Sequence, residues 1–180
     1  MKVPVIVAAI AAGQADWEAV DAAITRSDND AARLLWDRLD DGAAEVEAIL
    51  RRAGDDQTRL EPDPDPRGYS SFGRTVWSLP AALTFFAALA RAELLPERDT
   101  ERVLDAMGRI VPAQRWGLGR LPGIRLKGGW GPSERPEGGY EVIQVGIAGP
   151  TVIAIAARAE DFEAAKRLAS KHVPQHPNTP

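Results

Sequence analysis

The chain has no cysteine and only two histidines in 180 residues. Without cysteine there is no disulfide, no thiolate zinc site and no cysteine nucleophile. Both histidines, His172 and His176, fall in a proline-rich tail, where no fold would hold a Ser-His-Asp triad or a histidine metal centre rigid. A metal or cofactor is therefore not expected. A basic surplus is also missing: 22 Lys and Arg stand against 26 Asp and Glu, a net charge of -4, which argues against a nucleic-acid backbone as partner. The longest apolar run, in MKVPVIVAAIAAG at the start, is too short to span a bilayer. No low-complexity segment divides the chain, and 44% hydrophobic with 27% charged residues fits one globular domain with a sizeable core.

What is present begins with that apolar run. Lys2 before Val3 to Ala12, with small residues Gly13 and Ala15 following, has the make-up of a secretory signal peptide. The same residues also fit a helix apolar on every face, with Pro4 in its first turn and Gly13 ending it. Trp17, Val20 and Ile24 recur at helical spacing, the pattern breaks at Ser27-Asp28-Asn29-Asp30, and Ala31, Leu34, Leu35, Trp36 and Leu39 resume it. Any of the four polar residues suits a helix N-cap. A further helix runs from Ala43 to Ala53 and stops at Gly54. The stretch DDQTRLEPDPDPRGYSSFG, with prolines between acids, predicts a long surface loop. Thr75 to Leu94 reads as helix with Ser78 as cap, Pro80 in the first turn, and Phe85, Phe86 and Leu89 turned inward. Asp99 to Ile110 is a second amphipathic helix.

The second part has a different character. Ile124 to Gly129, Tyr140 to Ala148 and Thr151 to Arg158 are β-rich runs between Gly and Pro turns, and Ala159 to Val173 returns as helix. The AGP turn at 148 to 150 makes the last two runs an antiparallel hairpin. Both are apolar on each side, as strands covered by helices on both faces would be. The fold class is α+β: a helical lobe over residues 1–115, sheet strands with a terminal helix over 116–173, and a tail at 174–180, all one domain. In Lys127-Gly128-Gly129-Trp130 the strand end brings an ammonium beside a backbone bare of side chains, suited to a carboxylate-bearing ligand. Trp36, Trp77 and Trp116 read as packing, and Trp130, next to the glycine pair, as the best candidate for a substrate-facing aromatic.

Lys2 in MKVPV, Ser27-Asp28-Asn29 in ITRSDNDAARLLW, and Lys127-Gly128-Gly129 on a strand stand in the order of three motifs. They resemble the S-x-x-K, S-D-N and K-T-G motifs of class A β-lactamases and penicillin-binding proteins. Thr58-Arg59-Leu60 resembles the start of that family's omega loop. The resemblance covers essentially the whole chain and implies a β-lactamase/transpeptidase-like fold lacking its N-terminal strands. It favours the buried-helix reading of the first residues. It also implies an extracytoplasmic setting, in the cell envelope or secreted, although without a clear signal peptide the chain as it stands is expected in the cytoplasm.

By this resemblance the protein is a serine hydrolase of acyl-transfer type, acting on a small-molecule β-lactam or a peptidoglycan-like peptide. Lys2 would manage the nucleophile's proton, Ser27 would relay a proton to the leaving nitrogen, Asn29 would hold the substrate amide, and Asp28 would be structural. Lys127 would attract the substrate carboxylate, Gly128 and Gly129 would line its path, and the Trp130 N–H would be an oxyanion donor. Lys127 is also expected to depress the pKa of Lys2.

Three departures follow. The nucleophilic serine would stand three residues before Lys2, upstream of Met1, so the chain as given is expected to be inactive. Its most economical origin is a start placed at the Met of a Ser-x-Met-Lys helix. Gly128 replaces the usual hydroxyl residue, and the deacylating Glu falls at or near Pro64, with Glu61, Asp63 and Asp65 nearby. A non-catalytic module binding a carboxylate-bearing peptide is the principal alternative, and an exported structural domain the weaker one.

Overall fold

A computed structural model describes residues 1–61, 70–133 and 136–173. The chain divides into two compact units, Met1–Ala106 and Met107–Pro180. The first begins with α1 (Lys2–Ala11), whose residues Val3 through Ile10 are all buried. A helix apolar on every face can persist in water only if other helices surround it. Here α2 (Trp17–Thr25), α3 (Asn29–Asp37) and α4 (Gly42–Arg52) do so. Each of these three starts on an aspartate whose carboxylate accepts backbone N–H groups: Asp16, Asp28 and Asp41. The expected second stripe is only partly turned inward: Leu35 and Trp36 are buried and Leu34 is exposed.

Beyond α4 the expected surface loop is partly interior. Asp55, Thr58, Leu60, Ser71 and Phe72 are buried, and a short helix, α5 (Ser71–Arg74), follows on the Ser70 cap. The polar residues in this stretch serve as internal hydrogen-bonding partners, which hydrophilic composition alone does not reveal. The Asp55 carboxylate accepts from the backbone of Gln57 and Thr58 at 3.1 and 3.0 Å and from the Trp77 indole at 3.2 Å. Glu47 accepts from the Leu60 N–H at 2.8 Å, and Arg51 donates to the Asp55 and Thr58 carbonyls. Burial pushes the Asp55 carboxyl upward, but hydrogen bonds from Thr58, Gln57 and Trp77 more than offset it and hold it below the usual range.

The next helix is shorter than expected: α6 (Leu79–Ala90) starts after the Ser78 cap with Pro80 in its first turn. Thr75 to Trp77 lie outside it because Pro80 cannot sit deeper in a helix. Phe85, Phe86 and Leu89 are buried, and Trp77 packs edge-on against Phe85 with ring centroids 5.6 Å apart. α7 (Glu97–Gly108) carries the buried Val103, Leu104 and Met107.

In the second unit β1 (Arg125–Pro132), β2 (Tyr140–Ala148) and β3 (Thr151–Ala159) form an antiparallel sheet in the order β1-β2-β3. α8 (Phe162–Lys171) packs on β2 and β3 from an Asp161 cap. Two expectations change here. The β1 strand continues past Gly129, so Trp130 lies inside it, and Ala159 ends β3 instead of opening the helix. Nor is β3 fully covered: its residues are half-buried or exposed, while β2 is mostly buried. Apolar composition on both sides of a strand therefore overstated its cover.

The register places Leu126, Gly128 and Trp130 on one face with Val142, Gln144 and Gly146. On that face the fully buried Gln144 accepts the Leu118 N–H at 2.8 Å and donates to the Gln114 carbonyl at 3.2 Å. These bonds fix the two 3-10 turns at 112–114 and 117–120 to the sheet. Gly117 has φ +52, and a Cβ there would lie 2.5 Å from the Gln144 Oε1, so only glycine accommodates the bond. Gln144→Leu keeps the bulk but orphans a buried donor and a buried acceptor. The expected loss is about 2–4 kcal/mol in chemical denaturation followed by tryptophan fluorescence; an unchanged midpoint would show that the two bonds are energetically silent.

Candidate active site

Lys2 opens α1, so its side chain starts from the one end of that buried helix where an amine can reach polar partners. Its Nζ donates to the Ser27 carbonyl oxygen and, at 3.1 Å, to the Ser27 Oγ. Ser27 lies between α2 and α3 with φ +57, a left-handed conformation that costs a non-glycine residue free energy and persists only where its surroundings enforce it. The next residue explains the local fold. Asp28, not Ser27, caps α3, its Oδ1 accepting from the Ala31 N–H at 3.0 Å, which leaves the Ser27 side chain to meet Lys2. Asn29 is the first residue of α3 and is exposed.

Burial lowers the Lys2 amine from its ordinary 10.5 to about 8, and the Asp28 carboxylate acts the other way, raising it. The expected cause was Lys127; the operative one is desolvation, opposed by an acid whose part in the triplet had been read as structural only. An amine in this range is shared between acid and base forms near neutral pH, as proton transfer requires.

In the second unit Lys127 is buried and donates from Nζ to the Gly128 carbonyl at 2.7 Å. β1 is an outer strand of the sheet among the described residues. The Ser133 N–H bonds to the Gly139 carbonyl at 2.9 Å, one step beyond the Pro132–Tyr140 pair. In an antiparallel ladder bonded and non-bonded pairs alternate. Lys127, Gly129 and Gly131 therefore pair with β2, while the backbone N–H and C=O groups of Gly128 and Trp130 point to the open edge. The Trp130 ring packs against Phe162 with centroids 5.8 Å apart, on the opposite face of the strand from the Lys127 side chain. The residue remains part-exposed there. Trp36 packs on Phe72 and Trp116 on Phe162, in keeping with packing roles.

Of the acids considered for deacylation, Glu61 lies 3.8 Å from Arg74. Asp63, Pro64 and Asp65, like the tail at 174–180, lie outside the described residues. Among the described residues no cluster of His, Cys, Asp or Glu could hold a metal ion, and no helix is long and apolar enough to cross a membrane.

This geometry meets an independent finding: residues 2–161 match the family described as the β-lactamase enzyme family. The chain belongs to that family. Among solved structures, the chromosome-encoded β-lactamase of Vibrio parahaemolyticus shares 17% identity over 94% of this chain and 78% of its own, with a TM-score of 0.68. PBP-A shares 21% over 94% and 75%, at 0.67. A variant of the reconstructed last common ancestor of Gram-negative class A β-lactamases shares 19% over 94% and 77%, at 0.66. At these identities the likeness is one of fold. No curated protein matches the sequence. The family thus accounts for a helical unit, an antiparallel sheet and a closing helix in this order, the arrangement expected from the three motifs.

The sign of the Lys2 effect on stability is fixed by its direction. With a folded value near 8 and an unfolded value near 10.5, the unfolded chain binds more protons between them, so this group favours folding progressively as pH rises from 8 to 10.5. Lys2→Met removes that dependence. Urea midpoints of wild type minus variant should therefore increase from pH 8 to pH 10; a constant difference would show that Lys2 titrates normally.

Proposed function

We propose that this β-lactamase-family chain is a serine acyl-transfer domain whose substrate is a β-lactam or a peptidoglycan-type amide. The observation that carries the reading is the Lys2 amine held on Ser27 at the S-D-N position, with the open β1 edge at Gly128 and Trp130 in support. One related structure, a PBP-A mutant described as an acyl-enzyme complex with penicillin G, shows that such chemistry occurs on this fold. In the proposed reaction Lys2 takes the proton of a serine one helical turn before it, and that serine attacks the amide carbonyl. Ser27 passes a proton to the departing nitrogen. Lys127 draws the substrate carboxylate, Asn29 holds its side-chain amide, and the Trp130 N–H stabilises the oxyanion.

The serine of S-x-x-K would stand three residues before Lys2 and is not among the 180 residues. In this reading the 180 residues hold the proton-relay groups, Lys2 and Ser27, and the attacking serine is supplied from outside them. Gly128 offers no hydroxyl to the carboxylate, and the position of a deacylating Glu is occupied at or near by Pro64, so an acylated form is long-lived, in the manner of a penicillin-binding protein. A binding-only module is the second reading, supported by the backbone groups that the β1 edge offers to an extended peptide.

The test uses radiolabelled penicillin on the 180-residue chain and on a chain extended upstream by its genomic codons. The first should retain no label after denaturation. The extended chain should be labelled on a serine three residues before Lys2, and should turn over a chromogenic cephalosporin slowly. Label on the short chain would refute this account, and an extended chain that binds penicillin reversibly without label would favour the binding module.

A further inference from the structure

Lys2 and Ser27 form a pair that needs no third residue to do chemistry. The amine is fixed from two directions, since Nζ donates both to the Ser27 carbonyl and to its Oγ, and the serine is half-buried in a left-handed conformation. When the amine is neutral, one N–H still bonds the carbonyl and the lone pair is free to accept the Ser27 hydroxyl proton at the same 3.1 Å separation. A serine and a neutral lysine so placed are a nucleophile with its general base.

We infer that Ser27, with Lys2 as its base, is itself a nucleophile toward small activated acyl and phosphonyl electrophiles, an activity separate from β-lactam chemistry. In the reaction with a fluorophosphonate, the Ser27 Oγ–P bond forms as the P–F bond breaks. Fluoride leaves, and the hydroxyl proton passes to Lys2 and then to water. With an activated ester the Oγ–acyl bond forms, the ester C–O bond breaks, and the leaving alkoxide takes the proton from Lys2. The electrophile is small and needs no carboxylate, because this pair alone supplies the reacting groups. A penicillin is a different case: under the proposed function Ser27 faces its nitrogen, not its carbonyl, so a Ser27 phosphonyl adduct and the absence of penicillin label on this chain are compatible and separately testable.

Among the described residues the charged group that acts on Lys2 is Asp28, which favours its protonated form against the effect of burial. The 180-residue polypeptide also carries the α-amino group of Met1, so pH dependence is read against a variant that keeps it. The experiment treats the 180-residue protein with an alkyl fluorophosphonate from pH 6 to 10 and quantifies adducts by peptide mass spectrometry. Ser70 and Ser78 serve as internal background. Adduct should accumulate on Ser27, at a rate that rises with pH and levels above about 8. Ser27→Ala should lose that adduct, and Lys2→Met, which retains the Met1 amine, should slow it about 100-fold or more. Should Lys2→Met fail to give the wild-type circular dichroism spectrum, Lys2→Arg supplies the same loss of base with the positive charge kept. Labelling of Ser27 no faster than of Ser70, or equal labelling in the lysine variants, overturns the inference.

Discussion

Everything in the first unit depends on burying α1. Its residues from Val3 to Ile10 are shielded from water, and a helix with no polar face gives its neighbours no freedom to leave one side open. α2, α3 and α4 must surround it, and the corner between α2 and α3 is thereby drawn to the helix start. Hydrophobic burial of this kind is non-directional and scales with area, yet here it fixes one polar contact. Lys2 is the first residue of the buried helix, so its amine meets Ser27 at the corner. The same burial that builds the unit depresses the amine toward the range useful for proton transfer. Stability and chemistry share a cause in this unit.

The second unit reaches its arrangement by polar satisfaction. Gln144 in the middle of β2 binds the turns that precede the sheet, and Gly128 and Trp130 are the β1 residues whose backbone faces the outer edge. The Trp130 indole packs on Phe162. Family membership rests on the match across residues 2–161.

Much of this was legible in the sequence because it depends on local rules. The apolar run from Val3, the polar corner at residues 27–30, Ser78 before Pro80, and the short AGP turn each specify local geometry without reference to the rest of the chain. The three motifs in order pointed to the family. What was not legible depends on contacts distant in sequence. The stretch around Asp55 looked like a solvated loop, because the partners that bury it, Glu47 and Trp77, lie on other elements. Trp130 was singled out because it follows the glycine pair, and only the continued register shows that its ring falls on the α8 side. Asp28 was one of four residues suited to a cap, and its charge on Lys2 depends on how α1 meets the corner.

The central claim is that burial, not a neighbouring cation, holds the Lys2 amine ready to exchange protons with Ser27. The direct measurement is an NMR titration of the chain labelled with 13Cε-lysine, with Lys2 assigned by its loss in Lys2→Arg. The account predicts a midpoint near 8 for Lys2, moving lower in Asp28→Asn and staying in place in Lys127→Met. A midpoint near 10.5, or one that rises on removal of the Lys127 charge, would contradict it.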